Sequence, residues 1–387
     1  MRKFTADYVF TLEGEAIPNG LVITDDLGKI LSVTASFHID DRDVEYHKGV
    51  ITPGFINAHC HLELSHLQGK IEEGKGLISF IKEILSLRKA NDGEVIEAMQ
   101  KADKAMYDNG IVAIGDISNV AISAEVKEKS PIKYHTFIET IGMDPDKADE
   151  VMENALELKN SFGKHASVTP HAPYSLSKQL LKKVRKYCKE TDNLLSIHNQ
   201  ENDEENKLYR YKTGGFIQLY KDLGISLDRF ISMSKNTIQV IVPLLPENQR
   251  VLMVHNTFTS LKDIYFVKRF SKQIFWCFCP LANIYIEKTL PNFKFFKNDD
   301  NLICLGTDSL ASNHTLSILE EMKVICEHDK NITFTEVIEW ATINGAKFLG
   351  FDKELGSIKV GKTPGLNLIT DFIDGNLTEK SAVKKLI

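Results

Sequence analysis

The chain has 387 residues, 43% of them apolar and 26% charged, with a formal net charge of −6. That is an ordinary globular composition, long enough for one large core plus a small accessory unit. Its 47 Lys and Arg residues are spread along the length, so no basic footprint for nucleic acid or a membrane surface is present.

No apolar run approaches the roughly 18 residues of a membrane span. The charged start MRKFTADYVFTLEGE is not expected to act as a signal peptide. Six cysteines, with no CxxC among them, mostly sit in apolar runs, which predicts reduced, buried thiols and a cytoplasmic location.

The first segment reads as short strands, Tyr8–Leu12, Leu21–Thr24 and Lys29–Val33, the last two joined by the turn Asp25-Asp26-Leu27-Gly28. From residue 51 the rhythm changes to strand followed by helix. Eight strand candidates follow: Gly49–Ile56, Ile111–Ile117, Ile132–Glu139, Ala166–Thr169, Leu194–Ile197, Val251–Val254, Ile274–Phe278 and Leu302–Leu305. Helical periodicity falls between them at Leu77–Ala90, Glu94–Asn109, Ser177–Glu190, Leu261–Phe270 and Leu316–Glu327. Alternation of this kind predicts an α/β fold, a closed (β/α)8 TIM-like barrel over 51–353.

One more helix is expected at Thr335–Leu349, then tail strands at Gly356–Lys362 and Leu366–Ile369. An isolated hairpin is marginal, so the tail is expected to join the N-terminal strands. Residues 1–50 and 354–387 would together form a small β-sandwich.

Five of the barrel strands end in polar bursts. In a β/α barrel the strand C-termini gather at one mouth, so these bursts predict one shared cavity. His59 and His61 lie two apart after an apolar run, and in an extended strand such residues face the same way. They are half of a metal site. His198, after Leu195-Ser196-Ile197, supplies a third nitrogen. Asp308, after Leu305-Gly306-Thr307, can coordinate a metal or take a proton from its water; the plainer reading is a helix N-cap.

Glu201, three residues beyond His198, is placed as a general acid/base, whereas Asp203, Glu204 and Glu205 read as solvated surface charge. His255 can orient an attacking hydroxide or stabilise developing charge. His171, in TPHAPYS, reads as a substrate contact, with loop hydrogen bonding as the alternative. Cys277 and Cys279 could hold a soft metal but read better as core.

The stretches ITPGFINAHCHLE, TPHAPYS, SIHNQE, VHNT, CPLAN, LGTDSLASN and GSIKVGK, in this order, resemble the amidohydrolase superfamily. Within it they resemble the metal-dependent deaminase and chlorohydrolase branch, over essentially the whole chain. The resemblance implies one divalent ion, usually Zn2+ (Fe2+ or Mn2+ being the other candidates), on His59, His61, His198 and Asp308. Relatives with two metals bridge them through a modified lysine after the fourth strand; this chain has none in PHAPYS.

The implied activity is hydrolytic deamination of an aminated heterocycle, a purine nucleoside such as an adenosine derivative or aminofutalosine, by metal-activated hydroxide. Glu201, His255 and Asp308 are then the catalytic groups. Glu63 and Ser65, in HLELSHLQG, resemble the aminofutalosine deaminases, and with His171, Asn283 and Ser312 are the expected substrate contacts. The alternatives are a cyclic-amide or imidazolone C–N hydrolase on the same ligands, and more distantly a catalytically silent binding paralogue. Expected partners are a small heterocycle and, by resemblance, further copies of this chain.

Overall fold

A computed structural model describes residues 1–35, 43–297 and 301–387. The part of the N-terminal unit at 36–42 lies outside the described residues. The chain enters through β1 (Arg2–Val9), β2 (Ile17–Pro18), β3 (Leu21–Thr24), β4 (Ile30–Thr34) and β5 (Val44–Pro53). It continues through β6 (Phe55–Cys60), β7 (Ile111–Ser118), β8 (Lys133–Thr140) and β9 (Ala166–Pro170). Then come β10 (Leu195–Asn199), β11 (Arg250–His255), β12 (Gln273–Phe278) and β13 (Leu302–Leu305), and finally β14 (Leu366–Ile369) and β15 (Val383–Lys385).

Both ends of the chain meet in one seven-stranded sheet, ordered β15-β14-β5-β1-β3-β4 with β2 on β1. The expected first barrel strand, Gly49–Ile56, is in fact two strands. Its first half belongs to this sheet, and the break falls at Gly54, whose N–H donates to the Pro364 and Gly365 carbonyls. A Cβ there would lie 2.8 Å from the Pro364 oxygen, so only glycine passes. The tail segment 356–362 is not a strand. It runs as turns whose Ile358 and Gly361 N–H groups donate to Thr11 and Ile30.

The remaining eight strands form two parallel four-stranded sheets, β6-β7-β8-β9 and β10-β11-β12-β13. An uninterrupted closed ladder was expected; the ladder stops at two seams. At each seam side chains take over the backbone's hydrogen bonds. Between β9 and β10, Thr169 Oγ1 accepts from Ser196 N at 2.8 Å and donates to its carbonyl at 2.5 Å. Asn193 Oδ1 accepts from Val168 N at 2.9 Å, and Ser167 Oγ from Leu194 N at 3.0 Å. Between β13 and β6, Asn57 Nδ2 donates to Thr307 Oγ1 at 2.7 Å, and the backbone bridges Cys60 with Asp308.

The expected helices fall close to their ranges, with one exception; helices such as Ala148–Lys159 and Gly215–Asp222 had no expected counterpart. Thr335–Leu349 is two helices, Phe334–Trp340 and Ile343–Leu349. Thr342 Oγ1 donates back to the Ile338 carbonyl at 2.5 Å, while Ala341 turns its carbonyl to the N–H of Ile56 on β6.

Gly306 sits where β13 crosses the His59 backbone. A Cβ there would lie 2.9 Å from both the Cβ and the carbonyl oxygen of His59, and 3.0 Å from Cys277 Sγ. Gly306→Ala is therefore expected to cost about 1–3 kcal/mol by overpacking, read as a lowered midpoint in chemical denaturation.

Candidate active site

Phe55–Cys60 is buried along its whole length, so β6 delivers His59 into the interior and His61 follows at its end. The imidazole Nε2 of His61 lies 3.2 Å from that of His59 and 3.3 Å from that of His198. Asp308 Oδ1 lies 3.4 Å from both His59 Nε2 and His61 Nε2. His255 joins His59, His198 and Asp308 in a group whose donor atoms all fall within 4.8 Å of one another. Residues from β6, β10, β11 and the turn after β13 thus share one point.

Backbone strain aims two of these side chains. His255 (φ 73°) and Asp308 (φ 56°) are both left-handed, as is Gln200 (φ 45°) just before Glu201. L-residues in that region cost on the order of 1–2 kcal/mol. The conformation reverses the chain at the strand end and keeps the side chain at the mouth.

Hydrogen bonds fix the imidazoles. His198 Nδ1 lies 2.8 Å from the His171 carbonyl, and His255 Nδ1 lies 2.9 Å from Asn283 Oδ1. Each Nδ1 therefore carries the hydrogen, and Nε2 keeps its lone pair toward the centre. Burial lowers the basicity of His59, His198 and His255, and takes His61 down to about 3. Burial alone would raise Asp308, but His59, His61 and His255 hold it well below the usual carboxylate range.

Three of these imidazoles and the carboxylate therefore face one another, with no cationic side chain between them among the described residues. Ligand atoms about 2.1 Å from a shared zinc at tetrahedral angles stand roughly 3.4 Å apart, which the observed spacings match. The donor set fits a divalent metal.

Around this point opens a cavity of about 330 Å³. His61, His171, His198, Glu201, His255 and Asp308 line its floor. Its walls are apolar, from Leu77, Phe80, Ile81 and Ile84 of the helix Leu77–Leu87 and from Leu219 and Tyr220 of the helix Gly215–Asp222. Glu201 is 4% exposed; burial, then Asp308 and Glu287, raise its carboxyl well above the usual range. Its Oε1 lies 3.7 Å from His255 Nε2.

Glu63 also lines the cavity, though from a short 3-10 turn (Leu62–Leu67) and not from a continued strand. It accepts from the Asn119 backbone at 2.9 Å and from its side chain at 3.2 Å. His171 lines the cavity with its Nδ1 2.7 Å from Ser175 Oγ.

Three expected substrate contacts lie elsewhere. Ser65 spends its hydroxyl on the Leu62 carbonyl at 2.7 Å, outside this cavity. Asn283 stands behind His255, and Ser312 donates to Asp308 Oδ2 from behind. Both act on site residues and not on the cavity. Cys277 and Cys279 pack in the core.

Several neighbours were not foreseen. Glu205, read as surface charge, is fully buried; it accepts from Glu201 N at 2.8 Å and Gln200 N at 3.2 Å, holding that turn. Asp116 accepts from Leu62 N at 2.8 Å and pairs with buried Lys127 at 2.6 Å, fixing the chain just after His61. Glu139 lines the cavity 3.6 Å from His198 Nδ1 and accepts from Asn119 at 3.0 Å. Its signal was present: a carboxylate closing the apolar run Phe137-Ile138, as Asp308 closes another.

Residues 50–385 match the model of the amidohydrolase family. The chain belongs to that family and is a hydrolase acting on carbon–nitrogen bonds. It is 27% identical over 357 residues to an adenosine deaminase of Helicobacter pylori, covering 89% of this chain and 84% of that one. To an aminodeoxyfutalosine deaminase of Nitratiruptor sp. it is 28% identical over 333 residues, covering 83% and 78%. The crystal structure of Helicobacter pylori aminofutalosine deaminase with methylthio-coformycin has the same fold, with a TM-score of 0.79 over 100% of both chains at 24% identity.

The buried groups set opposing pH trends for the metal-free protein. Burial lowers His135 to about 3, so the unfolded chain binds the extra proton and stability rises from pH 3 to about 6.5. Burial raises Glu139 and Glu205 to about 8, so the folded chain holds extra protons and stability falls between about 4.5 and 8. Thermal unfolding after chelation is expected to give the highest midpoint between pH 4.5 and 6.5. A midpoint still climbing from pH 6.5 to 8 would contradict it.

Proposed function

We propose that this chain is a metal-dependent aminohydrolase that removes the exocyclic amine of a purine nucleoside, replacing it with oxygen from water and releasing ammonia. The two parallel sheets are then the halves of one eight-stranded barrel with the site at its mouth. The observation that carries the reading is Glu201 and His255, buried side by side against the donor set at the foot of an apolar cavity.

His59, His61, His198 and Asp308 would hold one divalent ion, most simply zinc. When bound, such an ion lowers the pKa of a water from about 16 toward 7. Glu201, kept protonated by burial, donates to the ring nitrogen beside the amine-bearing carbon. His255, fixed by Asn283, steadies the charge that develops on that carbon's oxygen. Asp308, whose carboxyl is held below the usual range, takes the water's proton and passes it to the amine, so that the C–N bond breaks and ammonia leaves.

His171 and Glu63 stand where they can touch the heterocycle or its sugar. The apolar walls favour a nucleoside with an apolar 5′ group over a 5′-phosphate, since Arg88, a cation of the lining, already faces Glu63 at 3.9 Å. Relatives named for adenosine and methylthioadenosine fit that preference.

The test is ammonia release by zinc-loaded protein from adenosine, 5′-methylthioadenosine, aminofutalosine and adenosine 5′-phosphate. Turnover of the first three, with the phosphate weakest, is expected. Silence on all of them, with hydrolysis of cyclic amides instead, would transfer the reading to that sister reaction. Glu201→Gln is expected to keep its metal and to lose about 10²–10⁴-fold in kcat; metal analysis alongside the ammonia assay checks both halves.

A further inference from the structure

Glu321 is a fully buried carboxylate that the chemistry above leaves unused. It stands on the helix Ile318–His328 and reaches two separate strand-end loops. Its Oε2 accepts the Leu281 N–H at 2.9 Å, and its Oε1 accepts a side-chain N–H of Asn313 at 3.0 Å.

The first arm leads to His255. Leu281 is the second residue of the helix Pro280–Glu287 after β12, and two residues on Asn283 holds the His255 Nδ1 hydrogen at 2.9 Å. The second arm leads to Asp308. The same Asn313 amide donates to the Thr307 carbonyl at 3.0 Å, one residue before Asp308, and its neighbour Ser312 donates to Asp308 Oδ2. Both arms end on donors, so the middle must offer two acceptors, which a carboxylate does. An apolar side chain there would strand two buried N–H groups, at about 1–3 kcal/mol each.

We infer that Glu321 is a positioning residue that sets Asp308 and His255 relative to one another by clamping both loops to a single helix. The inference rests on the reading of those two residues as site groups. Neither of them touches Glu321, so its influence passes through backbone and amide.

Glu321→Gln tests it, because glutamine keeps the shape but turns a donor toward one of the two N–H groups. Turnover is expected to fall about 10–100-fold with bound metal retained. The visible bands of the Co2+-substituted protein should change as Asp308 shifts. Combined with Asn283→Ala, the losses should fall short of the product of the two single losses, because both act on His255.

Unchanged turnover and unchanged Co2+ bands in Glu321→Gln would overturn the clamp. So would losses that multiply fully in the double variant, or a loss of activity matched by loss of metal and cooperative folding. Should the wild-type chain release no ammonia from any nucleoside, the deaminase reading fails separately, and the Co2+ bands still decide the clamp.

Discussion

Three imidazole nitrogens and a carboxylate oxygen, buried with their neighbouring atoms 3.2–3.4 Å apart, repel or strand one another unless a cation sits between them. Most of the unusual features of this chain trace to keeping that arrangement in place. Burial lowers the basicity of the histidines, and the Nδ1 hydrogen bonds of His198 and His255 leave their Nε2 lone pairs facing inward, toward Asp308. The donor set is thereby prepared for a divalent ion before any ion arrives.

Holding it requires departures from regular structure at the strand ends. Left-handed backbone at His255 and Asp308 turns the chain back while leaving the side chain at the mouth. At the two seams between the parallel sheets, Thr169, Asn193, Asn57 and Thr307 supply hydrogen bonds that a regular ladder would have drawn from backbone alone. Gly306 admits β13 against the backbone of His59. These substitutions lie one step behind the site, where small shifts in strand position would otherwise spoil ligand spacing.

A ring of buried carboxylates performs the second task, fixing the loops. Asp116 holds the turn after His61, Glu205 the turn carrying Glu201, and Glu321 the two loops that present Asp308 and Asn283. Among these, Asp116 has a lysine partner, Lys127, at 2.6 Å. Burial pushes Glu205 and Glu321 toward the neutral acid, and the N–H groups each accepts pull the other way, toward the carboxylate.

The sequence by itself determined the strand–helix alternation, because apolar runs of fixed length separated by amphipathic helices leave few ways to bury their faces. It also determined the donor set, because His59, His61, His198 and Asp308 each close an apolar run and parallel strands must end together. What it could not show is anything governed by contacts between distant segments. Periodicity does not mark the break at Gly54 or the kink at Thr342, each set by another segment's backbone. Glu205 looks like surface charge in an acidic stretch and Glu321 is unmarked within a helical run, and only the tertiary fold buries them. Ser65, Asn283 and Ser312 stood near enough in sequence to suggest contact with a ligand. Only the packing decided which of their atoms face the cavity and which face the residues that line it, because side-chain direction beyond a strand end is set by the turn and not by alternation.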